Sequence, residues 1–252
     1  MKRIRNTGIV LALIAYGAAC SSPHYTVQSV TDTKIVMDST WATAAGADME
    51  EVVAYFQQHL KAETSVVIGT SKQTLTKGFP QSLLSNFAAD AMQQLAEERW
   101  QTVDFSVLNM GGLRTSINKG AITVGNIYEV FPFENKLVLV EMRGSAVREL
   151  FEAFALKGGQ GVSSTVRFVI KNQALSSLSI RGKALEDNRI YRVATVDYLA
   201  DGNDGMDAFL QADQRRNSHE TFRALMLRYI QSLTNKNQEI DAKIDHRITV
   251  IH

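Results

Sequence analysis

Two glycine-rich stretches carry polar side chains of the types that bind oxygen-rich ligands. The first, residues 109–114 with the sequence N-M-G-G-L-R, contains four candidates: Asn109, Gly111, Gly112 and Arg114. The second, residues 198–205 with the sequence Y-L-A-D-G-N-D-G, contains Gly202 and Asp204. Glycine-rich turns leave backbone N–H groups free to meet oxygen atoms, arginine adds a fork of donors, and a carboxylate accepts hydrogen bonds. The two stretches therefore indicate a ligand with many oxygen atoms, and Asp204 suits the hydroxyl groups of a ribose.

Aromatic residues stand close to both stretches in the sequence. Tyr198 opens the second stretch, and Phe133 lies in an F-P-F segment two residues before Asn135. Stacking a nucleobase on an aromatic ring contributes ~1–3 kcal/mol, so the two rings could hold a base. Considered singly, each loop is more often only a turn, and an aromatic residue beside a turn is more often part of the core. The residue types alone leave both interpretations open.

The composition is that of a globular protein with almost no net charge. Of 252 residues, 45% are hydrophobic, and 27 basic and 26 acidic residues give a net charge of +1. This composition excludes a disordered chain, and the charge balance gives no general attraction to nucleic acid or to an anionic membrane. The single cysteine excludes a disulfide framework and any multi-cysteine metal site, and the five histidines are scattered singly. We therefore predict no cofactor in this chain and no nucleic-acid partner.

Residues 1–20 have the pattern of an export signal. Basic residues are followed by an uncharged apolar run at 8–15, and small residues then precede Cys20, the only cysteine. The run is shorter than the ~20 apolar residues that span a bilayer. The pattern predicts a lipoprotein of the bacterial cell envelope, anchored to the membrane through acylated Cys20. Gly17 stands where a lipoprotein signal usually has leucine, so cleavage after Ala19 to give a soluble periplasmic protein is the alternative.

The rest of the chain predicts one α+β domain at 45–252, preceded by a tether and first strand at 21–44. Apolar residues at helical spacing predict helices, and alternating or continuous apolar runs predict strands. We expect helices at about 47–62, 82–100, 144–156 and 218–233, and strands at about 66–68, 103–108, 135–142, 165–170, 178–180, 191–196 and 247–251. Asn217 with Glu220 three residues later predicts a capping box for the last helix. The run K-G-G-Q-G at 157–161 is expected to be a flexible connection at the rim of the site.

Several motifs resemble the C-terminal domain of 5'-nucleotidases. That family has N-x-G-G-x-R, G-x-I-T and P-F-x-N in this order, as at residues 109–114, 120–123 and 132–135 here. Its later signature, an aromatic residue followed by L-A-x-G-G-D-G, is similar to residues 198–205, and its helix motif ending in D-A is similar to residues 86–91. The motifs follow one another with the family's spacing from about residue 66 to 251.

The resemblance implies a four-layer α/β/β/α domain that binds the nucleoside part of a nucleotide. By this resemblance Phe133 and Tyr198 would enclose the base and Asn109 would bond to it. Arg114 would contact ribose or phosphate oxygens, and Asp204 would accept from the ribose hydroxyl groups. Gly111, Gly112, Asn135 and Gly202 complete the predicted substrate-binding set.

The sequence departs from the family pattern at three places. Tyr198 stands where the family often has phenylalanine, which keeps the ring. Residues 78–81 lack an arginine that family members often use for phosphate. Asn203 replaces a glycine of G-G-D-G, which we expect to be tolerated because asparagine adopts left-handed backbone angles better than most residues.

The metal-binding motifs of full-length 5'-nucleotidases are absent from this sequence. Those enzymes add a two-metal phosphoesterase with D-x-H, G-N-H-[DE] and H-x-H motifs, none of which occurs here. The first hypothesis is therefore the substrate-binding half of a split 5'-nucleotidase, with divalent metals only in a separate metallophosphoesterase chain. The alternative is a non-catalytic envelope protein that binds nucleosides or nucleotides. A third interpretation is a domain that has kept only its fold.

Overall fold

The computed structural model describes residues 26–29, 31–32, 34 and 47–251. The chain divides into two units, Met1–Val52 and Val53–His252. The described residues before 47 form no strand, and the predicted signal segment 1–20, Cys20 and most of the predicted tether lie outside the described residues. Within the part of the chain that is described, no helix combines the length and apolar character needed to cross a membrane.

The structure confirms the predicted mixed α+β fold, with two large sheets and flanking helices. The helices are α1 (Ala47–Thr64), α2 (Leu83–Trp100), α3 (Val124–Val130), α4 (Gly144–Leu156), α5 (Asp197–Ala200) and α6 (Phe222–Asn235). The strands are β1 (Val67–Ser71), β2 (Phe105–Leu108), β3 (Gly120–Thr123), β4 (Lys136–Arg143), β5 (Gly161–Val162), β6 (Val166–Lys171), β7 (Ala174–Ile180), β8 (Lys183–Ala184), β9 (Ile190–Val196), β10 (Gln214–Thr221) and β11 (Ile248–Ile251).

A five-stranded sheet in the order β10-β4-β9-β2-β5 carries the loops of interest. Strands β2 and β9 are parallel, whereas β4 is antiparallel to β9. The carboxyl ends of β2 and β9 and the amino end of β4 therefore meet at one edge of the sheet. A second sheet has the order β11-β6-β7-β8, and β1 pairs with β3 in a two-stranded sheet.

Aromatic packing on helix α4 joins the two large sheets. The ring of Phe151 lies 5.7 Å from that of Phe105 in β2 and 5.1 Å from that of Phe168 in β6. All three side chains are fully buried. Helix α4 also begins where the sequence predicted, at Gly144, where a Cβ would lie 2.0 Å from the carbonyl oxygen of Glu186. The close approach of these backbones requires glycine at that position.

Helix α2 begins as the sequence predicted. The Ser82 hydroxyl accepts a hydrogen bond from the Ser85 N–H, and the Ser85 hydroxyl accepts one from the Ser82 N–H, which completes a capping box. The helix buries Phe87, Ala91 and Leu95, as their spacing predicted. Helix α2 contacts β2, β4 and β9, so it covers one face of the five-stranded sheet.

The prediction for the last helix was wrong at its start. Residues 214–221 form strand β10, and helix α6 begins at Phe222 with Thr221 as its cap. The Thr221 hydroxyl accepts from the Ala224 N–H at 3.2 Å. Strand β10 lies at the edge of its sheet and is mostly exposed, so its sequence Q-R-R-N-S-H-E-T lacks the apolar alternation that marks a strand.

Helix α1 has the predicted position but its apolar stripe is exposed. The side chains at helical spacing that lie on the surface are Met49, Val52, Val53, Phe56 and Leu60. The following strand was predicted to be short and buried, yet Val66 and Val67 are exposed and Ile68 alone of the three is buried. Burial along β1 does not alternate regularly, and its pairing with β3 shifts register between Val67 and Gly69.

A buried arginine joins helix α2 to the C-terminal segment. Arg247 is 2% exposed and donates five hydrogen bonds to Asp90, Asp245 and the carbonyl oxygen of Val162. Burial would raise the pKa of the Asp245 carboxyl, but the hydrogen bonds and positive charge of Arg247, together with Arg167, outweigh it and hold that pKa below its usual value. A buried guanidinium with all its donors engaged is costly to leave without its partners.

Candidate functional site

Three chain segments converge at the shared edge of the five-stranded sheet. Residues 109–114 follow β2, residues 197–205 follow β9, and residues 131–135 precede β4. Parallel strands release their following loops at the same edge, and an antiparallel neighbour starts there. The strand order therefore explains how segments far apart in sequence come together.

The three segments enclose an open cavity of about 280 Å³. Eight of the nine predicted binding residues line it: Asn109, Gly111, Gly112, Arg114, Phe133, Asn135, Tyr198 and Asp204. The rings of Phe133 and Tyr198 remain 47% and 40% exposed, so their faces are open to a ligand. The volume is close to the lower limit of ~300–1,000 Å³ that is typical of small-molecule sites. The ninth residue, Gly202, does not line the cavity and lies instead against the side chain of Leu210.

The Asp204 carboxylate is bonded to two other residues of the cavity. The Asn109 amide nitrogen donates to Oδ2 at 2.5 Å, and the Tyr198 hydroxyl donates to Oδ1 at 3.0 Å. The hydrogen bond to the carboxylate and its negative charge raise the pKa of the Tyr198 hydroxyl above its usual value. The Tyr198 hydroxyl and the Asn109 amide both donate to Asp204, so the three side chains form one hydrogen-bonded unit.

Left-handed backbone geometry shapes the loop that carries Asp204. Gly202, Asp204 and Gly205 have φ values of 81°, 57° and 66°. The expectation that Asn203 would adopt this geometry was wrong, because the positive φ falls on its neighbours. The Asn203 side chain instead donates to the carbonyl oxygen of Tyr198 at 2.8 Å. Asp204 is the non-glycine residue of this loop with a positive φ, and aspartate adopts that region more readily than most residues.

Arg114 stands at the side of the cavity near Phe133. Its guanidinium carbon lies 6.0 Å from the centre of the Phe133 ring, and its Nη1 donates to the carbonyl oxygen of Gly111 at 3.4 Å. This hydrogen bond uses one of the five N–H donors of the guanidinium. The position suits contact with the oxygen atoms of a ligand that occupies the cavity.

The segment at 157–161 is tied to both ligand loops, which the sequence analysis did not anticipate. The Lys157 ammonium donates to the carbonyl oxygen of Asp204. The buried Gln160 side chain accepts from the Met110 N–H at 2.8 Å. The segment is therefore a brace between the loops rather than a free connection. The sequence offered one signal for this role, which is that residues 157–161 lie between the two predicted site loops along the chain.

Arg223 was also missed, and it holds the turn that presents Phe133. Its side chain is 8% exposed and forms an ion pair with Glu134. Its Nη1 donates to the carbonyl oxygens of Phe131 at 3.1 Å and Pro132 at 2.8 Å. A guanidinium with several fixed donors can hold such a turn more rigidly than a lysine could. Arg223 is thus a positioning residue for the Phe133 ring.

Neighbouring glycines offer a prediction about the loop after β2. A Cβ on Gly112 would lie 2.7 Å from Asn109 Oδ1, whereas a Cβ on Gly111 would meet its nearest atom at 3.5 Å. Gly111→Ala is expected to stabilise the protein by about 0.4–1 kcal/mol, because alanine restricts the unfolded chain. Gly112→Ala is expected to give no such increase in the free energy of unfolding, because the new Cβ would displace the Asn109 side chain that bonds Asp204. Urea denaturation of both variants measures the difference, and equal stability would contradict the close contact.

Metal-ligating side chains are not grouped in the described part of the chain. Among the described residues, no three histidine, cysteine, aspartate or glutamate side chains lie close enough together to hold a metal ion. The cavity thus offers aromatic faces, amide groups, one carboxylate and one guanidinium. These groups can bind and orient a ligand.

A family comparison agrees with the motifs and the geometry of the cavity. Residues 67–211 match the family model described as 5'-nucleotidase, C-terminal domain, which is more than half of the chain. The chain belongs to the 5'-nucleotidase C-terminal domain family. All three segments that line the cavity lie within the matched residues.

Curated relatives of this 5'-nucleotidase C-terminal domain are considerably longer. Protein UshA of Yersinia enterocolitica is 31% identical over 175 residues, which cover 66% of this chain and 31% of the relative. Protein UshA of Escherichia coli is 30% identical over 166 residues, which cover 64% of this chain and 30% of the relative. The chain therefore spans about a third of the length of these relatives.

A solved structure shows the same fold. The 5'-nucleotidase precursor of Thermus thermophilus superposes with a TM-score of 0.71 at 24% identity. The match covers 84% of this chain and 45% of that one. At this identity the likeness concerns the fold alone. It supports the arrangement of sheets and helices described for this 5'-nucleotidase C-terminal domain.

Proposed function

We propose that this domain binds the nucleoside part of a nucleotide in the 280 Å³ cavity, with the base between Phe133 and Tyr198. The observation that carries the proposal is the meeting of two exposed aromatic rings with the Asp204 carboxylate in one cavity. Stacking is independent of base identity, because every base has a π-face. The carboxylate then suits the sugar hydroxyl groups next to the base.

The remaining cavity residues have complementary roles in this proposal. The Asn135 amide is available to the edge of a base. Asn109 offers the base its side-chain carbonyl oxygen, because its side-chain nitrogen already bonds Asp204. Arg114 is available to ribose or phosphate oxygens. The backbone of Gly111 and Gly112 allows the ligand to approach closely.

Hydrolysis in this proposal requires a metal centre from elsewhere. Two-metal phosphoesterases place cations ~3.5–4 Å apart to activate water and to stabilise the phosphoryl oxygens. The sequence contains no D-x-H, G-N-H or H-x-H motif that could supply such ligands. We therefore infer a split 5'-nucleotidase in which this chain binds the nucleotide and a separate metallophosphoesterase chain performs the chemistry. Acylation of Cys20 would hold the assembly at a membrane of the cell envelope.

Calorimetric titration followed by a mixing experiment tests the proposal. Adenosine, AMP and UDP-glucose are titrated separately, and millimolar to micromolar affinity is expected for a small site of this kind. AMP hydrolysis is then measured for the metallophosphoesterase alone and for the mixture, and the mixture is expected to be faster. Binding without any gain on mixing would favour an envelope protein that only captures nucleosides or nucleotides. Absence of binding at millimolar ligand would contradict both.

A further inference from the structure

We propose that the Tyr198 hydroxyl and the Asn109 amide hold Asp204 in the orientation that recognises both hydroxyl groups of a ribose ring. Tyr198 would thus be a positioning residue for sugar specificity, in addition to offering a ring to the base. This inference rests on the proposed function, since it concerns the same cavity. Tyr198 stands where the family often has phenylalanine, so the inference concerns the hydroxyl that this chain adds.

The hydrogen bonds around Asp204 leave a matched pair of acceptor positions. A carboxylate offers about four lone-pair positions, two on each oxygen. Asn109 occupies one position on Oδ2 and Tyr198 occupies one on Oδ1. One position therefore remains on each oxygen. Two acceptors on one planar carboxylate match the two neighbouring hydroxyl donors of a ribose.

The same contacts restrict the rotation of the carboxylate. Without them, the terminal torsion of an exposed aspartate is broad and poorly defined. Asp204 already has a left-handed backbone, and Lys157 bonds its carbonyl oxygen. Backbone and side chain are thus both held before a ligand arrives. Such preorganisation lowers the conformational entropy that binding must remove.

The Tyr198 hydroxyl contributes to the sugar and not to the base. A phenylalanine ring would offer the base the same flat face, so stacking does not require the hydroxyl. A tyrosine hydroxyl is protonated at neutral pH, and the bond to the carboxylate raises the pKa of Tyr198 further. Removing the hydroxyl alone should therefore weaken recognition of the diol while leaving the aromatic face in place.

Adenosine and 2',3'-dideoxyadenosine titrated into wild type and Tyr198→Phe distinguish the two contributions. The wild type is expected to favour adenosine by about 10-fold, the scale of a single hydrogen bond to a charged acceptor. Tyr198→Phe is expected to lose about five-fold in affinity for adenosine and less for the dideoxy ligand, so the preference shrinks. Tyr128→Phe is the matched control, because Tyr128 is exposed and lies outside the cavity.

Each other outcome has a definite meaning. Equal affinity of the wild type for the two ligands would overturn the inference, while binding of both would leave the nucleoside cavity standing. An equal loss for both ligands in Tyr198→Phe would also overturn it, because the hydroxyl would then support the ring or the fold. Failure of both ligands to bind wild type would overturn the proposed function together with the inference. Thermal unfolding of Tyr198→Phe checks that the variant folds.

Discussion

Replacement of Phe133 by alanine is expected to lower the affinity for adenosine by about 30-fold, within the ~1–3 kcal/mol that a base gains by stacking. Phe133 lines the cavity and is 47% exposed, so its face is free in the unliganded protein. Its backbone is held by Arg223, which bonds the carbonyl oxygens of the two preceding residues. The backbone that carries the ring is therefore held before binding, and the alanine variant loses the stacking that the ring provides. Calorimetric titration measures the loss.

The matched control for this experiment is Phe56→Ala. Phe56 is an exposed phenylalanine of helix α1 and does not line the cavity. Its replacement is expected to leave the affinity for adenosine unchanged. Retention of wild-type affinity in Phe133→Ala would contradict the placement of the base, since the same cavity would then bind without one of its two aromatic faces.

Replacement of Arg247 by methionine is expected to lower the free energy of unfolding by about 3 kcal/mol, the lower end for breaking a buried ion pair. Arg247 is 2% exposed and bonds both Asp90 and Asp245. Its loss leaves the Asp90 carboxylate without a cation, leaves Asp245 with only its ion pair to Arg167 at 3.3 Å, and removes a donor from the Val162 carbonyl oxygen. The side chains of Asp90 and Asp245 retain partial exposure to water, which limits the loss. Urea denaturation at neutral pH gives the magnitude.

Arg148→Met provides the comparison for an exposed ion pair. Arg148 pairs with Asp187 at 2.6 Å, and both side chains are well exposed. Exposed pairs contribute about 0–1 kcal/mol, so a small effect is expected. A loss of similar size in the two variants would show that burial of Arg247 has no special importance.

The loss of unfolding free energy in Arg247→Met should also depend on pH. The lowered pKa of Asp245 means that its ion pair stabilises the fold fully above the usual carboxyl pKa of about 3.9. That stabilisation is lost as the pH falls through the lower pKa of the folded state. The difference between wild type and Arg247→Met should therefore shrink below about pH 4. A difference that is constant with pH would indicate that packing, rather than charge, is responsible.

The sequence predicted most of the cavity because its residues lie in short local patterns. Asn109, Gly111 and Gly112 belong to one turn, and Tyr198 and Asp204 belong to another. Parallel pairing of β2 and β9 could not be derived from these patterns, although it determines that the turns meet. The bonds between the three side chains also depend on that meeting.

The residues that support the cavity were missed because their partners are distant in sequence. Lys157 bonds a residue 47 positions away, Gln160 one 50 positions away, and Arg223 one 92 positions away. Strand β10 was missed because an exposed edge strand has little apolar alternation. Helix α1 was predicted correctly, but its apolar stripe is exposed, because helical spacing predicts a helix and does not predict which residues cover it.

The cavity is built from loops at the ends of β2, β9 and β4, so its lining can be changed separately from the strands. Its three lining segments are separate in sequence and each is attached to a buried strand, and each also contributes a buried apolar residue to the core, namely Met110, Phe131 and Leu199. An engineer could vary the exposed cavity positions of residues 109–114, 131–135 and 198–205 while keeping these buried residues and strands β2, β4 and β9 unchanged. Rigid strands that carry variable loops let a fold acquire new ligands without redesign of its core. For a combinatorial library, the exposed cavity positions of these segments are the ones to randomise, and Lys157, Gln160 and Arg223 are the residues to keep.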